Sequence, residues 1–175
     1  MANDNTIRRA APSATLTNPT SASTFLNASD STKAACVYFP VIPSYVTNIQ
    51  KFRFRAVGQA TTVGSHNVTP KVDYGVSVTA ASNTAIAAAT ARACATTTAS
   101  FVIEGDLFWN PTSQALTGRF TALNGSTNAI DAYAVTTTVA SVDLTVSGKG
   151  LSVECTVATG GGDTAILHEL SLEQL

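Results

Sequence analysis

Glu104 and Asp106 are the residues of this chain best placed to do chemistry, because a nearby pair of carboxylates is what glycoside hydrolysis requires. They stand at i and i+2 in SFVIEGDLFWN, so a strand puts them on one face with side chains roughly 7 Å apart. That separation falls between the retaining and inverting geometries, and acids on an exposed strand face are ordinarily just solvated. Catalysis is not expected from them. A second cluster is basic: Lys51, Arg53 and Arg55 occupy alternate positions of KFRFRAVG, with Phe52, Phe54 and Ala56 on the other parity. Three like charges on a strand face are usually solvated, and the functional alternative is a weak site for an anionic ligand.

The other reactive side chains offer less. His66 falls in a predicted loop, and His168 shares parity with Ile166 and Leu170, which suits a structural histidine bordering the core. Cys36, Cys94 and Cys155 are far apart, odd in number and without a CxxC, so small buried thiols in a reducing compartment are expected. No Cys/His spacing resembles a zinc site. Gly160–Gly162 before Asp163 lacks the lysine and helix of a phosphate loop and reads as hairpin punctuation. No GxSxG is present. Neither a cofactor nor a catalytic residue is implied, and the chain is read as a non-enzyme. Trp109 could be a sugar-stacking platform, as could Tyr133, but Trp109 has the parity of Phe101 and Ile103 and is expected in the core.

The elements that must position these groups are strands. Residues 99–123 read as a hairpin turning at Asn110-Pro111-Thr112-Ser113. Phe101, Ile103, Leu107 and Trp109 face inward on one arm, and Leu116, Phe120 and Ala122 on the other. Val72, Tyr74, Val76 and Val78 form another inward set, with Asp73 opposite. Later sets are Val142, Leu144 and Val146, then Leu151, Val153, Cys155 and Val157, then Ile166, Leu170 and Leu172. Residues 84–98 are rich in alanine and threonine without a large apolar stripe, so a strand is expected there rather than a helix. Eight or so short strands with turn signals every 8–12 residues describe an all-β, antiparallel β-sandwich, jelly-roll-like in strand count.

Composition narrows the partners. Charged residues are 12% of the chain and the net charge is −1, which leaves no electrostatic footprint for nucleic acid or anionic lipid. No run approaches the ~20 apolar residues of a membrane helix. MANDNTIRRAAPSA has no apolar stretch after its arginines, so a secretory signal is not expected and the Asn-X-Ser/Thr triplets are chance matches. Residues 1–34 hold few large apolar groups and are expected as a flexible or extended arm before a sandwich over residues 35–175. Arg8, Arg9, Phe25 and Leu26 are the arm's candidate contacts to a neighbouring subunit or surface.

SFVIEGDLFWNPTSQALTGRFTALNG, the later GLSVECTV and the terminal AILHELSLEQL give residues 50–175 a style that resembles small jelly-roll proteins of tailed-bacteriophage virions. Capsid decoration, or cement, proteins are the nearest of these. The resemblance implies a structural subunit, assembled in the host cytoplasm, that binds the major capsid protein on the outer shell, often as a homotrimer. No contact residue carries over by motif. The alternative from a different class is a carbohydrate-binding jelly roll of a phage fibre or receptor-binding protein.

Overall fold

A computed structural model describes residues 7–10, 15–17, 23–24, 36–77, 79–88, 92–94, 98–124, 129–133, 138–157 and 161–175. Their strands are β1 (Ile7–Ala10), β2 (Leu16–Thr17), β3 (Ser23–Thr24), β4 (Cys36–Tyr38), β5 (Gln50–Thr61), β6 (His66–Tyr74) and β7 (Thr84–Ala88). The chain continues through β8 (Arg92–Cys94), β9 (Thr98–Asn110), β10 (Ala115–Asn124), β11 (Ala129–Tyr133), β12 (Thr138–Val139), β13 (Gly150–Val157) and β14 (Thr164–Gln174). Residues 84–88 and 92–94 are strands, as the weak apolar patterning of that stretch predicts.

These strands form two antiparallel sheets of a jelly-roll-like β-sandwich. The larger runs β1-β14-β5-β9-β10-β11, with β2 also on β14 and β12 also on β10; the smaller runs β3-β13-β6-β7, with β4 on β13 and β8 on β6. Alternation builds the interface. Phe52, Phe54, Phe101, Ile103, Leu107, Trp109 and Leu116 from the larger sheet are buried against Val68, Val72, Leu151, Val153 and Cys155 of the smaller. Two glycines of the larger sheet make room for rings on neighbouring strands. A Cβ at Gly58 would lie 2.1 Å from the Phe101 ring, and one at Gly105 would lie 2.7 Å from the Phe120 ring and 2.1 Å from the Arg119 carbonyl oxygen. The rings cover glycines that would otherwise leave voids.

At one end the chain passes between the sheets from β5 to β6 and again from β13 to β14. Asp163 ties these passages together: it is fully buried, accepts the Val63 N–H at 2.9 Å and holds His66 Nδ1 at 2.7 Å.

The structure differs from the sequence expectation at several places. First, residues 140–149 are irregular rather than a strand: Val142 and Leu144 are buried but Val146 is exposed. Asp143 Oδ1 accepts both the N–H and the hydroxyl of Thr145, and this local turn competes with a ladder. Second, β14 carries a bulge between Leu167 and Glu169, so Ala165 and Leu167 face inward before it and Leu170 and Leu172 after it. His168 is consequently exposed, not a border of the core, and Ile166 is only half-buried. Third, Asp73, expected on a solvent face, is buried. In the N-terminal segment, the described residues pair within this same chain: β1 and β2 on β14, β3 on β13. These three short strands take up backbone hydrogen bonds that β13 and β14 offer.

Candidate functional site

The outer face of the larger sheet carries the richest polar array. Since Phe52, Phe54, Leu107 and Phe120 point inward, their neighbours on β5, β9 and β10 must point out. The register sets them in rows across the sheet. Glu173, Arg53, Asp106 and Arg119 are successive cross-strand neighbours, and so are Ser171, Arg55, Glu104 and Thr121. Positive and negative charges therefore alternate along the first row.

Asp106 is gripped from two sides, with Arg53 Nε 3.0 Å from Oδ1 and Lys51 Nζ 3.1 Å from Oδ2. Burial works to raise its pKa, but the hydrogen bonds and charges of Arg53 and Lys51 together prevail and hold it below the usual carboxylate value. Arg55 lies between Glu104, at 3.6 Å, and Glu169, at 3.1 Å. Exposed pairs of this kind contribute little stability singly, but each fixes the partner's orientation. Phe108, next in line on β9, is 37% exposed, and Lys51 Nζ sits 5.7 Å from its ring centre. Together Arg53, Arg55, Glu104, Asp106, Phe108 and Arg119 line an open groove of about 810 Å³.

The sequence-predicted residues divide as follows. Lys51, Arg53 and Arg55 share the expected outward face, and each meets an acid there. Arg8 and Arg9 lie on β1 opposite Leu172 and Ser171, with their side chains outside the description. Phe25 and Leu26 lie outside the described residues. Glu104 and Asp106 share a face as expected, but Asp106 is held ionised, which removes it as a proton donor. Trp109 is core: it is 1% exposed and its indole N–H donates to the Val142 carbonyl at 2.7 Å. Tyr133 has no described side chain. Sequence reasoning missed Phe108 and Arg119, although inward Trp109 and Phe120 already assign both neighbours to the outer face.

A second polar cluster lies on the other face of the smaller sheet's β6 and β13. Asp73 and Ser152 are cross-strand neighbours, as are Lys71 and Glu154. Asp73, Ser152 and Glu154 are at most 2% exposed. Lys71 Nζ meets Glu154 Oε2 at 2.7 Å, while Asp73 Oδ2 and Ser152 Oγ have no hydrogen-bond partner among the described residues. Burial first, and then the neighbouring Glu154 carboxylate, push the Asp73 pKa up to about 8. Cys36, beside Ser152 on β4, and Cys155 in the core are buried free thiols; desolvation pushes Cys155 up to about 12. Among the described residues no three His, Cys, Asp or Glu side chains gather as metal ligands, and no helix is long and apolar enough to cross a membrane.

No protein-family model matches this chain, and no curated protein does. Among solved structures, the CBM2 module of the evolved Dit of Lactobacillus casei BL23 phage J-1 aligns with 79% of this chain and 67% of its own, at 11% identity and a TM-score of 0.35. A lectin from Bauhinia forficata in complex with GalNAc aligns over 100% of this chain and 94% of its own, at 10% identity and a TM-score of 0.31. Likenesses at this level carry no weight for function.

Proposed function

We propose that this chain is a non-catalytic carbohydrate-binding β-sandwich of a phage virion, and that the groove on its larger sheet holds the saccharide. One observation carries this reading: an exposed Phe108 ring stands beside arginines and carboxylates that already hold one another in place. Sugars present apolar C–H faces that pack on an aromatic ring, and hydroxyl groups that pair with guanidinium and carboxylate. Side chains fixed before binding lose little freedom when a ligand arrives. The virion setting rests on the sequence resemblance. A glycan array probed with the full chain is the test. Phe108→Ala is expected to weaken captured glycans at least tenfold with an unchanged circular dichroism spectrum. An array without a binder, or a variant that binds as the parent does, would remove the groove as a saccharide site.

A decoration subunit on the major capsid protein is the second reading, and exposed apolar side chains at one end of the sandwich favour it. Val41, Tyr45 and Ile49 from the β4–β5 connection are 53–83% exposed, and Val146 is 48% exposed. The Ile42 N–H donates to the Leu144 carbonyl, joining the two segments that bear them. Apolar surface of this kind is what an assembly interface would cover. Light scattering is expected to give about three times the 18.0 kDa chain mass if a homotrimer forms, and Tyr45→Ser with Val41→Ser should lower it. A monomer across the micromolar range would count against the trimer.

A further inference from the structure

We infer that the ligand of this groove carries a carboxylate and that Arg119 receives it. The inference rests on the carbohydrate reading and names the class of sugar: an acidic saccharide, of the uronic or sialic type. Its basis is the distribution of charge among partners. Asp106 is the cross-strand neighbour of Arg119, yet both its carboxylate oxygens are taken from the other side, Oδ1 by Arg53 and Oδ2 by Lys51. Glu104, the next acid on β9, meets Arg55 and has Thr121 as its neighbour on β10. Arg119 is exposed and, among the described residues, forms no ion pair and no side-chain hydrogen bond. The groove lining holds Arg53, Arg55 and Arg119 against Glu104 and Asp106, so its formal charge is positive in a chain whose net charge is −1.

The spare cation is thus a guanidinium at the groove wall, on the β10 side, while every cation of β5 is already committed. A guanidinium presents a rigid fork that matches a planar carboxylate bidentately, whereas a neutral sugar offers it only uncharged hydroxyl acceptors. Phe108 on β9 lies one row along from the Asp106–Arg119 pair, opposite Thr117 of β10. A pyranose packed on the ring therefore has a charged neighbour within one residue's reach along the strand.

Paired probes test this: sialyllactose against lactose, and trigalacturonate against its methyl ester, each titrated calorimetrically into the full chain at low ionic strength. The acidic member of at least one pair is expected to bind at least tenfold more tightly, with the ratio shrinking as salt rises. Arg119→Gln should bring the ratio close to one, and Arg119→Lys should keep part of it. Equal binding of acidic and neutral members overturns the inference but leaves the carbohydrate reading standing. An acidic preference that survives Arg119→Gln overturns the role of Arg119. Absence of binding by all four probes, together with a blank glycan array, removes both.

Discussion

Replacing Trp109 by alanine is expected to lower the unfolding free energy by about 3–5 kcal/mol, the range for truncating a large buried aromatic. Domains of this size are stable by only about 5–15 kcal/mol, so the variant should unfold at much lower denaturant or not accumulate folded. Two losses combine. The ring is buried at the end of β9, where Leu116 is its cross-strand neighbour on β10 and buried Val142 accepts its N–H, so its removal leaves a cavity. The Val142 carbonyl also loses the indole N–H at 2.7 Å. Trp109→Phe separates the two, since it keeps most of the packing and orphans the carbonyl, at a cost of about 1–3 kcal/mol. Urea unfolding should be followed by circular dichroism, because the chain has one tryptophan and the variants lose it as a fluorescent probe. A loss below about 1 kcal/mol for the alanine variant would mean that the 140–149 segment closes over the gap.

Asp73 should give the protein a falling stability between about pH 4 and pH 8. Its folded pKa, about 8, lies above the ordinary 3.8, so the folded state keeps a proton that the unfolded chain has released. The contribution of this group is full below the unfolded value and is lost as pH rises through the folded one, with a slope approaching about 1.4 kcal/mol per pH unit. Asp106 and Asp143, held below their ordinary values, act with the opposite sign and only as pH falls through about 4 or lower. Asp73→Asn mimics the protonated side chain and can donate to Glu154. It is expected to flatten the slope across pH 5–8 and to be more stable than the parent at pH 8. Denaturant midpoints measured at intervals across that range decide it. A flat parent profile, or an unchanged slope in the variant, would show that Asp73 is ionised in the fold.

Period-two alternation was enough to assign the fold class, the β9–β10 hairpin and its Asn110 turn, and the inward sets of β5, β9, β10 and β13. In β5, β9 and β10 one face packs against the opposite sheet, so burial repeats with the pleat and is written directly in residue order. The outward positions of Arg53, Arg55, Glu104, Asp106, Phe108 and Arg119 follow from the same alternation. What that pattern does not carry is which strand lies beside which. Only the register of β14, β5, β9 and β10 brings the basic stripe against the acids and leaves Arg119 over, because an ion pair depends on strand order and on alignment between residues far apart in the chain. The bulge at His168 likewise reverses the inward parity of β14 from a single extra residue, with no residue type there to announce it. Asp73 and Glu154 alternate with inward residues as solvent-facing acids should, yet both are buried in the fold. Side-chain periodicity is a property of one strand; neighbours, desolvation and spare charge belong to the assembled sheets, and the tertiary structure decided those.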